Sequence, residues 1–412
     1  SLQRMSKTPA SVTIPCSHCF AAKKKPWQFS VPQCERAVMK GTYVRCYDIR
    51  PIKMEYLAPD LSMAFFEGNR ILWSELTIDA KVGEGAAADV FMGKYKNKTV
   101  AIKRLRINLG EESTGDVLAA SDDESISKAF SEFRREVLLT HKLCHSAVLE
   151  LHGLVYDPPS IVIEPCGGGE LYNYIHNPEK DLSWPIKIKL ALDIAGAMQA
   201  MHEATPPLTH RDLKSPNVLV TTPGKGNWVS NPACAKVIDF GLSGSEPAMA
   251  GREVDMPVWL APEVMRRQDY GAKADVYSFA VILYELLTRK EFFGEYSFPS
   301  DKEVAVLEGK RPEIPANDKE LNKVPDYIKL MQACWDDNPN KRPTFSEILE
   351  RLQAMRVKHF PTSGITLPSK RTPTIQVKPS QKTTKKLTPF VPLTNPVEVE
   401  RFETQHLIAD LI

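Results

Sequence analysis

The sequence predicts an α+β protein in which a strand-rich segment precedes a mainly helical one. Leu76-Thr-Ile-Asp-Ala-Lys-Val82, Ala88-Asp-Val-Phe-Met-Gly-Lys-Tyr95 and Thr99-Val-Ala-Ile-Lys103 are short alternating runs, the patterning of strands. Beyond residue 170 the apolar spacing turns helical, over 186–202, 273–288, 325–337 and 344–355. Strands grouped ahead of helices, rather than interleaved with them, give the α+β order.

In chain order, residues 1–74 mix basic, aromatic and proline-containing stretches without helical periodicity, and read as the end of an upstream domain or a linker. The start at Ser1 rather than Met fits a piece of a longer chain. Residues 75–355 form the main domain. Within it, 107–127 is an acidic stretch with Gly and Ser, read as a mobile loop, and Phe133, Val137 and Leu138 follow at helical spacing. From Arg356 the composition turns to Pro, Thr and Lys, with no acid as far as Pro389. Such a segment buries too little apolar surface to offset its ordering entropy, so 356–412 is expected to be a disordered basic tail. Phe402, Leu407 and Leu411 suggest a short amphipathic helix near its end.

Composition narrows the function classes. The chain has 412 residues, 42% hydrophobic and 25% charged, with a net charge of +2. That balance offers no general attraction to nucleic acid or to a membrane surface. No apolar run approaches the roughly 18 residues that a membrane-spanning helix needs. Eight cysteines without a secretory signal fit reduced thiols in the cytoplasm. Cys16, Cys19, Cys34 and Cys46 could supply four zinc ligands. Only the first two are close in sequence, however, and structural zinc sites more often present two close pairs, so buried thiols are the preferred reading.

Two stretches carry the chemistry: His210-Arg-Asp-Leu-Lys-Ser-Pro-Asn-Val-Leu-Val220 and Asp239-Phe-Gly241. Together they offer a carboxylate base, a cation and two oxygen ligands for a hard metal ion. Upstream, Gly83-Glu-Gly85-Ala-Ala-Ala88-Asp-Val90 lies between two strands, where glycines let the backbone approach phosphates, and Val100-Ala-Ile-Lys103 follows. This order of motifs resembles the protein kinases, and the resemblance covers about 76–355. It implies a bilobal fold, with an antiparallel five-stranded sheet and one long helix ahead of a helical lobe.

The resemblance assigns roles residue by residue. Asp212 would be the catalytic base and Lys214 would stabilise the transferred phosphoryl group. Asn217 and Asp239 would hold Mg2+. Lys103 would contact the ATP phosphates, fixed by Glu136, with Glu132 as a competitor on the same helix. Val82, Gly83 and Gly85 would cover the nucleotide. Val90, Ala101 and Leu219 would enclose the adenine, with Ile163 as gatekeeper and Glu164 C=O and Cys166 N–H on its edge. Glu263 would pair with Arg342, and Asp275 would brace the catalytic loop.

Arg-Asp-Leu-Lys-Ser-Pro-Asn resembles the tyrosine-kinase-like group, whose members mostly phosphorylate Ser and Thr. His152-Gly-Leu-Val-Tyr-Asp-Pro-Pro, Gly169-Glu-Leu-Tyr-Asn, Leu192-Asp-Ile-Ala and Cys234-Ala-Lys-Val-Ile-Asp are similar to the Roco family. That likeness implies an upstream GTPase and COR region, the COR end falling within 1–74, and homodimerisation through it. Protein substrates are the expected partners; the alternative is a pseudokinase scaffold. Lys214 in this motif implies transfer to Ser/Thr; the family commonly has Gly-Thr where this chain has Asp255-Met256, ahead of Pro257-Val-Trp259, which makes Ser/Thr a preference and leaves dual specificity open. Ser243 and Ser245 are the phosphorylation candidates of the activation segment. Arg211 would receive such a phosphate, or pair with Glu246, Glu253 or Asp255 instead.

Overall fold

Strand pairing begins before the main domain. The computed structural model describes residues 11–14, 27–30, 43–46, 50–53, 70–84, 88–106, 132–156, 158–221, 233–245, 257–314, 318–361 and 367–370. Where sequence periodicity gave no element, β1 (Ser11–Ile14) pairs with β2 (Trp27–Ser30), and β3 (Tyr43–Cys46) pairs with β4 (Arg50–Lys53). The described residues of the main domain fall into two compact units. One contains the sheet and reaches Val137, resuming over Leu151–Pro165; the other holds Leu138–Glu150 and Cys166 onward.

The first unit is built on an antiparallel five-stranded sheet, as expected. Its strands are β5 (Leu76–Glu84), β6 (Ala88–Tyr95), β7 (Lys98–Leu105), β8 (Leu151–Tyr156) and β9 (Pro159–Ile163), in the order β5-β6-β7-β9-β8. Val100 and Ile102 of β7 pack with Ile71, Val155 and Val162 into a small core. Helix α1 spans 132–142 and carries Phe133 and Val137 on its buried side.

The second unit is mainly helical. Its helices are α2 (Leu171–His176), α3 (Trp184–His202), α4 (Pro262–Met265), α5 (Ala272–Thr288), α6 (Pro299–Leu307), α7 (Pro325–Cys334) and α8 (Phe345–His359). α3 and α5 are buried along nearly their whole length, the mark of helices surrounded by protein on every side. Even the charges of α3 are enclosed with partners. Lys189 Nζ lies 2.6 Å from both carboxylate oxygens of Asp193, and Lys187 Nζ donates to Leu287 O at 2.9 Å. Burial pushes the Lys187 ammonium down to about 8. A hairpin of β10 (Val218–Val220) and β11 (Ala235–Val237) completes the unit.

The end of the domain differs from the expectation of a boundary at 355 and disorder from 356. α8 runs to His359, because Leu352 and Met355 continue its buried stripe from an N-terminus closed by a Thr344–Glu347 capping box. Residues 367–370 then bind back on the helical unit: Ser146 N donates to Ser369 O at 2.8 Å, and Ser369 N donates to Ser146 Oγ at 2.9 Å. A glycine inside a helix costs about 1 kcal/mol relative to alanine. Gly196 of α3 is kept there by Pro368, whose Cγ would stand 2.5 Å from any Cβ at that position. Residues 371–412, with the suggested helix at 397–412, lie outside the described residues, as does the 107–127 loop.

Candidate active site

In the sheet unit, strand register gathers the expected nucleotide-facing residues. Lys103 on β7 pairs with Val90 on β6, and Ala101 pairs with Ile163 on β9. Cross-strand partners share a face, and so do residues two apart on one strand. Val90, Ala101, Lys103 and Ile163 therefore line one side of the sheet. On α1, Glu136 meets the lysine: Nζ donates to both Oε1 and Oε2 at 2.6 Å. This geometry selects Glu136 over Glu132 as the partner of Lys103. Gly83 pairs with Val90 where β5 turns into β6, and Val82 beside it is exposed; Gly85 lies outside the described residues. Glu164 follows β9 directly.

In the helical unit, the catalytic stretch is held from below by α5. Asp275 is buried and accepts three hydrogen bonds: His210 N (2.8 Å) and His202 Nε2 (2.8 Å) to Oδ2, and Arg211 N (2.9 Å) to Oδ1. Burial alone would raise its pKa, but the His202 hydrogen bond and the His202 and His210 charges outweigh that. The carboxyl is held below the usual carboxylate range. Arg211 is thereby kept in the left-handed region, at φ 68°, a conformation that is strained for a non-glycine residue.

Asp212, Lys214 and Asn217 converge just beyond this brace. Lys214 Nζ stands 3.0 Å from Asp212 Oδ2. Asn217 Nδ2 donates to Asp212 O and to Asp212 Oδ2, each at 2.8 Å. With both amide hydrogens so engaged, Asn217 Oδ1 is the atom left to accept a cation. The β10–β11 hairpin brings the other expected metal ligand alongside, since Ile238 N donates to Asn217 O at 3.0 Å and Asp239 comes next. Asp239 also has a left-handed backbone, at φ 67°, while Phe240 after it is buried against the His210 ring. Two side-chain oxygens, one of them from a carboxylate, suit the hard Mg2+ ion.

Leu219 sits in β10 and bridges Glu170, and the triple-glycine run continues that contact. Gly168 N donates to Val220 O, and a Cβ on Gly168 would lie 2.4 Å from that oxygen, so only glycine permits the approach. Cys166, just ahead of the run, is partly exposed. The expected Glu263–Arg342 pair is present and bidentate, at 2.7 and 2.8 Å, and buried.

One expectation changes, and another falls mostly outside the described residues. Ser243 is fully buried, and its hydroxyl donates to His210 O at 3.3 Å, so in this conformation it is closed to modification; Ser245 is partly exposed. Ser243 N donates to the carbonyl of the buried Phe240 at 3.0 Å, a tie to the core that composition does not reveal. Among the zinc candidates, Cys16, Cys19 and Cys34 lie outside the described residues, and Cys46 is placed only as the end of β3. The described residues contain no cluster of three or more His, Cys, Asp or Glu able to hold a metal ion. No helix among them is long and apolar enough to cross a membrane.

Sequence reasoning missed Glu285. It is buried in α5 and accepts from Trp259 Nε1 at 3.3 Å, while the buried Ser215 hydroxyl approaches the same carboxyl without closing a well-formed hydrogen bond. Burial pushes this carboxyl up to about 8. In sequence it is one more helical glutamate, and no local pattern distinguishes it.

The profile of the protein tyrosine and serine/threonine kinase family matches residues 76–352. The chain belongs to that family. It is 40% identical over 358 residues to the probable serine/threonine-protein kinase pats1 of Dictyostelium discoideum, covering 86% of this chain and 11% of that protein. The probable serine/threonine-protein kinases roco9 and roco5 of the same organism are 36% and 37% identical, over 86% and 78% of this chain and 10% and 11% of their own lengths. The resemblance to Roco kinases thus extends well beyond isolated motifs. The chain spans about a tenth of the length of these relatives.

Proposed function

We propose that this kinase domain transfers the γ-phosphoryl group of ATP to serine and threonine hydroxyls of protein substrates, with Asp212 as base. The observation that carries the reading is the joint fixing of Asp212 by Lys214 and Asn217 above the buried Asp275. The substrate oxygen attacks the γ-phosphorus as its bond to the β–γ bridging oxygen breaks. ADP departs with that electron pair, and the hydroxyl proton passes to Asp212. Lys214 offsets charge on the moving group. Lys103, held by Glu136, orients the α- and β-phosphates. Asn217 Oδ1 and Asp239 would hold magnesium, which would supply positive charge against the phosphates.

Val82, Gly83 and Gly85 are assigned to cover the phosphates. Val90, Ala101, Ile163 and Leu219 are assigned to the adenine ring, and Glu164 C=O and Cys166 N–H to its edge. The likeness to roco-named kinases, and the small share of them that this chain spans, support placement in a longer Roco-type signalling protein; the reading of the cysteines as reduced thiols assigns it to the cytoplasm. An upstream GTPase and COR region and a homodimer belong to that reading.

The test is incubation with Mg-ATP and a generic protein substrate, followed by identification of the phosphorylated residue. Asp212→Asn is expected to lower the rate by about 10²–10⁴, and the label to appear on serine or threonine. Equal incorporation by both proteins would sink the assignment of Asp212. Label on tyrosine would overturn the acceptor. No incorporation by either would favour a pseudokinase scaffold.

A further inference from the structure

The loop that follows α1 is gripped on two sides. On one side, Val237 N of β11 donates to Ala147 O at 2.8 Å, and Val148 forms a parallel bridge with Val237. β11 leads within two residues to Asp239. On the other side lies the segment Leu367–Lys370. Ser369 exchanges two hydrogen bonds with Ser146, His145 forms an antiparallel bridge with Lys370, and Pro368 fills the space above Gly196. His145 is buried between these contacts, its Nδ1 accepting from Ala147 N at 3.2 Å.

We propose that Gly196 of α3 and residues His145–Ser146 form a docking slot for the chain's own segment Leu367–Lys370, and that its docking supports catalysis by steadying the loop that holds β11 and the metal-binding turn. Three features argue for a docking site rather than incidental contact. The recognition is strand-like and uses backbone groups on both partners, a mode in which an extended segment adds to a free edge. The slot is specific in shape, because any residue larger than glycine at 196 would collide with the proline ring. The docked segment is itself small and mostly exposed: Leu367, Ser369 and Lys370 face solvent and only Pro368 is partly covered. A contact of this size is weak enough to open while the core stays folded. Release would free residues 143–148, into which α1 runs directly.

The effect on catalysis rests on the phosphotransferase reading; the docking itself does not. The experiment uses the full chain and two variants. Ser369→Pro removes the N–H that bonds Ser146 and lies far from the buried core. Gly196→Ala places a methyl group in the slot. Hydrogen exchange followed by mass spectrometry is expected to show faster exchange over 143–148 in both variants. With saturating Mg-ATP and a generic protein substrate, kcat is expected to fall about three- to tenfold in each. A synthetic peptide of residues 364–372, added in trans, should restore exchange protection and rate to Ser369→Pro but not to Gly196→Ala, whose slot is filled. Unchanged exchange in Ser369→Pro would overturn the docking. Faster exchange with an unchanged or increased rate would overturn the supporting role. If wild type transfers no phosphate at all, the functional reading fails, while exchange and peptide rescue still decide the docking.

Discussion

The catalytic loop and the glycine-bearing hairpin are both expected to face phosphate, yet they are held by opposite means. His210 and Arg211 are fixed through their backbone by Asp275, an acid buried in α5 with every oxygen engaged. The β5–β6 hairpin has an exposed first strand, and its tip is held by surface pairs such as Lys81–Glu84 at 2.6 Å. Buried hydrogen bonds in a low dielectric resist displacement, whereas exposed pairs are screened and contribute little. The difference suits the two tasks. A base must stay within hydrogen-bonding reach of its proton, but a cover over a nucleotide has to admit and release it.

The sharpest way to break this contrast is to remove the brace. Asp275→Ala removes the acceptor of the His210 and Arg211 amides and takes away the carboxylate partner of His202. It should cost about 3–5 kcal/mol of stability and, under conditions where the protein stays folded, lower kcat by about a hundredfold through misplacement of Asp212. Denaturant titration and steady-state kinetics check both. Because the folded carboxyl titrates below its ordinary value, its contribution is complete above the ordinary carboxylate range and lost as pH falls through the folded value. Acid unfolding of wild type should therefore be steeper than that of Asp275→Asn. Identical acid profiles would mean that the brace is not what holds the loop.

Legibility in the sequence followed the range of the interaction. β6 spans Ala88–Tyr95, as its alternation indicates, and α3 and α5 begin within two residues of their expected starts. The Lys103–Glu136 and Glu263–Arg342 pairs were readable because their residue types recur in fixed order. What escaped depends on distant parts of the chain. Lys189 and Asp193 have the spacing of a surface ion pair, but α3 is enclosed all round, so they form a buried pair. Gly196 looks like a helix defect until Pro368 lies over it. The tail was judged on average composition, which hid Leu367-Pro368-Ser369 among lysines and threonines. Ser243 has no neighbour in sequence that foretells its burial.

Glu285 tests the comparison from the helical side with a smaller effect. It follows Asp275 on the same helix and joins Trp259, after the activation segment, to the neighbourhood of Ser215. Burial raises its carboxyl from 4.5 to about 8, with Glu291 adding repulsion. The folded protein thus keeps a proton that the unfolded chain releases between those values. Stability from this group is greatest below pH 4.5 and declines as pH rises toward 8, by at most about 5 kcal/mol. Glu285→Gln, neutral at every pH, should show a flatter stability profile across this window and keep its rate at alkaline pH. Parallel profiles for the two proteins would show that the carboxyl is already ionised at neutrality.

The smallest effect is expected at the hairpin tip. Glu84 raises the proton affinity of Lys81, and Lys81 lowers that of Glu84, through their hydrogen bond, yet both are exposed, so water screens the pair and its long side chains lose freedom in forming it. Asp89 behind them is buried and keeps Lys81, at 3.0 Å, and Arg104, at 3.6 Å, when Glu84 is neutralised. Glu84→Gln should therefore leave the unfolding midpoint and kcat where they are, and any change should appear in KM for ATP and fade as salt is raised. Thermal unfolding and ATP titrations at low and high salt separate these outcomes. A fall in kcat that persists at high salt would mean the hairpin is held as firmly as the catalytic loop. The distinction between a braced base and a compliant cover would then no longer hold.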